Sequence, residues 1–179
     1  MEIQTNMDKL VPDKYYKNIY DINYEKLKQE GIKCLLIDLD NTLAPVNIDS
    51  PSKELKEKLN EISSMGFKLI ILSNSPKNRV RPFKEVLNID SAYSAKKPFG
   101  TKYKKIMRLY HFKDTEMAAI GDQLLTDILG ANIVGITSIL VNPMSEREYF
   151  WTKFNRFIEK FIYKKFEKRE ILVKGKYYD

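Results

Sequence analysis

Ile32-Lys33-Cys34-Leu35-Leu36-Ile37-Asp38-Leu39-Asp40-Asn41-Thr42 is the stretch on which the reading of this chain turns. An apolar run of strand length ends in two acids separated by one residue. In extended chain, positions two apart project to the same side, so Asp38 and Asp40 can address one ligand from a strand tip. Adjacent carboxylates repel each other unless a cation or a shared proton compensates them, and a hard cation taken through oxygen, Mg2+, suits that place.

Working outward, short apolar runs alternate with segments of helical periodicity. The runs are 32–37, 67–72, 92–94, 117–120 and 135–141, and the amphipathic segments between them are 52–65, 77–87, 101–110 and 124–131. Ser50-Pro51-Ser52 opens the first helical segment with Ser52 as N-cap, and Gly66 follows its last periodic residue. Strand and helix in strict alternation predict an α/β fold, a parallel sheet with helices on both faces. Such sheets bind ligands beyond the carboxyl ends of the strands, where the strand order switches.

Three further features fall at predicted strand ends. Ser73, with Asn74, Ser75 and Pro76 behind it, follows Leu69-Ile70-Ile71-Leu72 and offers a hydroxyl and backbone N–H groups to phosphate oxygens. Lys97, ahead of Pro98, supplies a point charge for a phosphate or for charge developing in a transition state. Gly121-Asp122-Gln123-Leu124-Leu125-Thr126-Asp127 follows Ile120, and its carboxylates complete a hard-oxygen metal site. Each feature alone reads as readily as a turn, a cap or a solvated loop. All four in order at successive strand ends do not.

Together they resemble the four ordered motifs of haloacid dehalogenase superfamily phosphatases. More narrowly, Leu10-Val11-Pro12-Asp13, Gly31-Ile32-Lys33, Asp40-Asn41-Thr42-Leu43 and the 121–127 segment resemble the YqeG-like subclass IIIA phosphatases, relatives of the mitochondrial phosphatidylglycerophosphate phosphatases. The resemblance implies a three-layer Rossmann-like fold and a phosphomonoesterase. Asp38 is then the nucleophile that forms an aspartyl phosphate, and Asp40 is the general acid and base. Mg2+ is held by the carboxylates of Asp38 and Asp122 and the backbone carbonyl of Asp40. Ser73 and the backbone N–H groups of Asn41 and Asn74 hold phosphoryl oxygens; Lys97 neutralises nucleophile and phosphate, and Asp127 orients Lys97 or a metal-bound water. An acid at position 40 favours hydrolysis, since relatives that store their aspartyl phosphate carry threonine there.

The chain, 179 residues with 43% apolar and 31% charged residues, has the composition of one folded domain. The expected organisation is an N-terminal arm over 1–31 packed on the core by short helical turns, a catalytic core over 32–142 and a helical appendage over 143–179. The connections 43–51 and 94–97 are too short for an inserted cap domain, so the site is expected to be open, which suits a large substrate such as a lipid headgroup. Cys34, the single cysteine, reads as a small core residue, and His111 as a surface or capping residue. The formal charge is +7, and more than half of the excess lies in 146–179. There Phe150, Trp151, Phe154, Phe157, Ile158, Phe161, Ile162 and Phe166 follow helical spacing, with Lys153, Arg156, Lys160, Lys164 and Lys165 over much of the remainder. Such a segment, 149–169, either lies on an anionic membrane surface or docks its aromatic face on the protein itself or on a partner. With no signal sequence and no run long enough to span a bilayer, the expected location is cytoplasmic, peripheral at the inner membrane face.

The expected substrate is a lipid-linked phosphomonoester, phosphatidylglycerophosphate, with nucleic acid disfavoured. Two rival readings stand beside it: a phosphatase for a soluble sugar phosphate or nucleotide, and a non-catalytic protein- or RNA-binding module using the basic tail. A phosphorylation-receiving signalling domain shares the layout, but its reactive aspartate follows the third strand, where this chain has none.

Overall fold

In the computed structural model, which describes residues 7–179, six strands form one wholly parallel sheet. They are β1 (Lys14–Tyr16), β2 (Cys34–Ile37), β3 (Lys68–Leu72), β4 (Asp90–Ala92), β5 (Met117–Gly121) and β6 (Thr137–Val141), in the spatial order β1-β6-β5-β2-β3-β4. From β2 the chain steps outward through β3 and β4, then returns to the other side of β2 with β5 and β6. The order therefore reverses between β2 and β5, and the crevice of a doubly wound sheet opens there.

Helices described over the sheet are α1 (Tyr24–Gln29), α2 (Lys53–Ser64), α3 (Lys77–Leu87), α4 (Thr101–Tyr110), α5 (Leu129–Val134) and α6 (Phe150–Lys168). The period of two along β2 divides the core. Leu35 and Ile37 pack with Leu27, Leu59, Ile62, Val80 and Phe83 of α1, α2 and α3 on one face. Cys34 and Leu36 pack with Tyr103, Ile106 and Ala131 of α4 and α5 on the other. Burial pushes the Cys34 thiol up to about 12, as expected of an inert core residue. Local chemistry sets the helix ends. The Ser52 hydroxyl accepts from the Leu55 N–H at 3.1 Å to start α2, and His111 caps α4 in the left-handed conformation.

The helical segments lie where their periodicity puts them, and among the described residues no cap domain is inserted. Two features differ from expectation. The arm, whose residues 1–6 lie outside the described residues, does more than pack on the core, because β1 extends the sheet along β6 with Tyr15 opposite Leu140. The appendage is also woven in: Tyr15 and Tyr178 exchange backbone hydrogen bonds of 2.7 and 2.9 Å, closing the β1 edge. Phe166 and Leu172 then fill a third cluster with Leu10, Tyr15, Leu124, Ile128 and Leu140. No described helix is long and apolar enough to cross a membrane.

Because Phe166 is 2% exposed and Phe161 56% exposed, the two aromatics of one helix should differ sharply on truncation. Phe166→Ala should lower the unfolding free energy by about 3–5 kcal/mol in urea titration. Phe161→Ala should change it by less than about 0.5 kcal/mol. Equal effects would show that the tail is not part of the cooperative fold.

Candidate active site

Strand register brings the sequence motifs together. Ile37 sits opposite Ile71 of β3 and Ile120 of β5, and the Asp38 N–H continues the ladder to the Ile120 carbonyl at 2.9 Å. Asp38, Ser73 and Asp122 therefore leave the sheet at one edge, at the crevice. All three are buried, as are Lys97 and Asp127.

Lys97 is the centre of the arrangement. Its Nζ donates to Asp38 Oδ1 at 2.5 Å and to Asp127 Oδ1 at 2.6 Å. The Lys97 backbone is held in turn by Asn74, whose Oδ1 accepts the Lys97 N–H at 2.7 Å and whose Nδ2 donates to the Lys97 carbonyl. Asp127 reaches inward because Leu124–Ile128 winds as a π-helical turn rather than the start of a regular helix. Gly121 is required for that approach, since a Cβ on it would lie 2.2 Å from the Asp127 Cγ. One carboxylate oxygen from each of Asp38, Asp122 and Asp127 lies within 4.8 Å of the others.

Around this cluster stand residues that sequence reasoning did not single out. The Thr42 hydroxyl donates to Asp122 Oδ1 at 3.0 Å. Arg156 of α6 pairs with Asp122 Oδ2, donates to the Asp122 carbonyl at 2.7 Å, and meets Glu148 and Glu159 at 3.0 Å each. Arg156 was expected among the cations of an outward face; it points inward instead. Arg79 of α3 binds Asp40, with Nε 2.9 Å from Oδ1, while the Ser75 hydroxyl donates to Asp40 Oδ2 at 2.5 Å. Arg79 also donates to the carbonyls of Pro45 and Ile48, so it fastens the 43–51 connection over the site. Its place in the first turn after Pro76 was the only available signal.

Two expectations need correction. Asn41 has φ 62°, and its N–H donates to the Ala44 carbonyl at 2.7 Å, so this amide does not face an incoming phosphate. Its side chain instead holds the tail, accepting from the Ser145 hydroxyl and donating to the Arg147 carbonyl, both at 2.8 Å. The site is also less open than expected. A cleft of about 600 Å³ is lined by Asp38, Asp40, Ser73, Lys97 and Arg79, but Tyr149, Trp151, Thr152 and Asn155 wall it on the α6 side. The Asp40 carboxylate, turned toward Arg79 and Ser75, stands outside the three-acid cluster.

The electrostatics follow from counting. Asp38, Asp122, Asp127, Glu148 and Glu159 are five acids around two cations, Lys97 and Arg156. Burial, with Asp127 and Asp122 nearby, pushes the Asp38 carboxyl well above the ordinary range, against the pull of Lys97. Burial likewise raises Asp122 to about 7, with Arg156 opposing. Burial disfavours the Lys97 ammonium, yet Asp127 and Asp38 outweigh it and hold Lys97 protonated. A divalent cation would relieve this surplus, and the donor set of hard carboxylate oxygens suits one.

The family model described as mitochondrial PGP phosphatase matches residues 1–144. The chain is 40% identical over 152 residues to the Bacillus subtilis (strain 168) protein described as “Probable phosphatase YqeG”, covering 85% of this chain and 88% of that protein. It is 26% identical over 151 residues to phosphatidylglycerophosphate phosphatase 1, chloroplastic/mitochondrial, of Arabidopsis thaliana, covering 78% of this chain and 42% of that longer protein. Among solved structures, the cobalt-bound deoxy-D-mannose-octulosonate 8-phosphate phosphatase of Haemophilus influenzae superposes with a TM-score of 0.51 at 15% identity, over 76% of this chain and 90% of that one. At that identity the likeness speaks for the fold.

The raised Asp122 carboxyl carries a sign that can be tested. A group whose folded value, about 7, exceeds its ordinary 3.8 stabilises the fold below the lower value and loses that contribution as pH climbs through the higher. In chelator, the urea midpoint should therefore fall between pH about 4 and about 7, and Asp122→Asn should flatten the decline. A wild-type midpoint that rises throughout this window would contradict the assigned electrostatics.

Proposed function

This chain belongs to the mitochondrial PGP phosphatase family, a phosphatase of the haloacid dehalogenase type, and on that premise we propose that it hydrolyses a lipid-borne phosphomonoester through an aspartyl phosphate on Asp38. The observation that carries the reading is the buried Lys97 ammonium gripping Asp38 and Asp127 at the floor of a cleft that Asp40, oriented by Arg79, also lines.

In this reading an Asp38 oxygen attacks phosphorus in line, and the bond from phosphorus to the ester oxygen breaks. The leaving alkoxide takes a proton from Asp40, which Ser75 and Arg79 hold in place. Asp40 then takes a proton from the water that opens the aspartyl phosphate, and inorganic phosphate leaves. Lys97 keeps its proton throughout and offsets charge on the nucleophile and the phosphoryl oxygens. The Ser73 hydroxyl, on the cleft wall, is suited to a phosphoryl oxygen, while the Asn74 side chain positions Lys97. Mg2+ fits the surplus of buried carboxylate charge, with Asp38, Asp122 and the Asp40 backbone carbonyl as its holders and Asp127 beside them. When bound, it supplies charge compensation between an anionic nucleophile and an anionic substrate.

The lipid assignment is supported by the family and by the kinship with the Arabidopsis enzyme, with phosphatidylglycerophosphate as the substrate and phosphatidylglycerol as the product. Phosphate release should be measured on phosphatidylglycerophosphate vesicles, sugar phosphates and nucleotides, with Mg2+ or with chelator. Turnover should require Mg2+ and favour the lipid, and Asp38→Asn should lose about a thousandfold or more while unfolding at the same urea concentration. Equal turnover by Asp38→Asn would end the covalent mechanism. A preference for the sugar phosphates or nucleotides would end the lipid assignment alone.

A further inference from the structure

The helix that walls the cleft turns its most apolar side away from the protein. Asn155, Glu159, Ile162, Tyr163 and Phe166 of α6 face inward: Asn155 bonds Gln123, Glu159 accepts the Leu125 N–H, and the last three join the tail cluster. On the opposite side Phe150, Phe154, Phe157 and Phe161 form a stripe at helical spacing, 77%, 57%, 61% and 56% exposed, with Trp151 beside its first turn at 76%. Phe157 and Phe161 meet edge to face at 5.1 Å, as do Phe150 and Trp151 at 5.6 Å, so these rings cover one another in the absence of other cover. A continuous stripe of this kind in water marks a surface that something else covers.

Charge identifies the occupant. Lys153, Lys160 and Lys164 run along one flank of the stripe, all exposed, and none is ion-paired among the described residues. Of the two acids of α6, Glu159 is buried on the inward side against Arg156, and Glu167 lies in the last turn, beyond the stripe. A second copy of the chain would bring lysine rows against lysine rows. A bilayer with anionic headgroups accepts both elements, rings at the interfacial depth and ammonium groups at the lipid phosphates. Trp151 touches Phe150 of the stripe and stands in the cleft wall at once, so seating the stripe brings the cleft to the same surface.

We propose that α6 docks the protein on an anionic bilayer through Phe150, Phe154, Phe157 and Phe161, flanked by Lys153, Lys160 and Lys164. The proposal deepens the lipid-ester reading above and rests on it for its purpose, since a lipid phosphate has to enter the cleft from a surface.

Trp151 is the only tryptophan and reports directly. Full-length protein is mixed with vesicles of phosphatidylcholine alone or with an equal share of phosphatidylglycerol, and Trp151 emission and co-sedimentation are followed. Emission should move to the blue, and protein should sediment, with the anionic vesicles only. The variant F154S/F157S/F161S should partition at least about tenfold more weakly, and K153Q/K160Q/K164Q similarly. Both variants alter exposed side chains and should keep the wild-type urea midpoint and the wild-type turnover of soluble p-nitrophenyl phosphate. Wild type that hydrolyses this ester but ignores anionic vesicles overturns the docking surface and spares the catalytic reading. Vesicle binding without hydrolysis of any ester upholds the docking and removes the catalysis. Self-association without lipid, abolished by F154S/F157S/F161S, assigns the stripe to a second copy and also overturns the proposal.

Discussion

The Lys97 ammonium between Asp38 and Asp127 is the interaction on which the rest of the site depends. A lysine 7% exposed keeps its charge only if carboxylates surround it, and carboxylates that deep stay ionised only if cations surround them. The sheet supplies the meeting point by ending β2 and β5 side by side, and the Asn74 side chain fixes the height at which Lys97 enters. Even so, acids exceed cations around the cluster. Burial, reinforced by the neighbouring acids, raises the carboxyls of Asp38 and Asp122, and the imbalance makes the place receptive to further positive charge.

Asp40 is handled separately, although it lies two residues from Asp38. Its carboxylate is held by Arg79 and Ser75, outside the three-acid cluster, so the two acids of one motif stand in different surroundings within one cleft. Separating them this way suits the proposed division of labour, in which one carboxylate is the nucleophile and the other exchanges protons. Arg79 also ties down the short connection after the motif through two backbone carbonyls. With no inserted domain, that connection and the first turns of α6 are what shape the mouth of the cleft.

Much of this was legible in the sequence because strands and helices announce themselves by period, and strand ends project whatever follows them to one edge. Asp38, Ser73, Lys97, Asp122 and Asp127 could be read in this way, and the structure gathers all five. What stayed hidden depended on contacts distant in sequence. Lys14-Tyr15-Tyr16 carries no apolar alternation, and it becomes a strand only because β6 and Tyr178 bracket it. Arg156 looked like one more cation on a basic helix until the fold delivered Asp122, Glu148 and Glu159 to it. The Asn41 amide was assigned to phosphate by resemblance, yet the tight turn at φ 62° closes it on Ala44.

The Arg156 contact bears on how freely the tail can be exchanged. The family match ends at residue 144, yet a side chain twelve positions later neutralises an acid in the last motif of the core. A chimera carrying a different C-terminal extension would lose Arg156 together with Glu148 and Glu159 and leave Asp122 buried without its guanidinium. The extension is thus no detachable module: the charge of Arg156 ties it to the core.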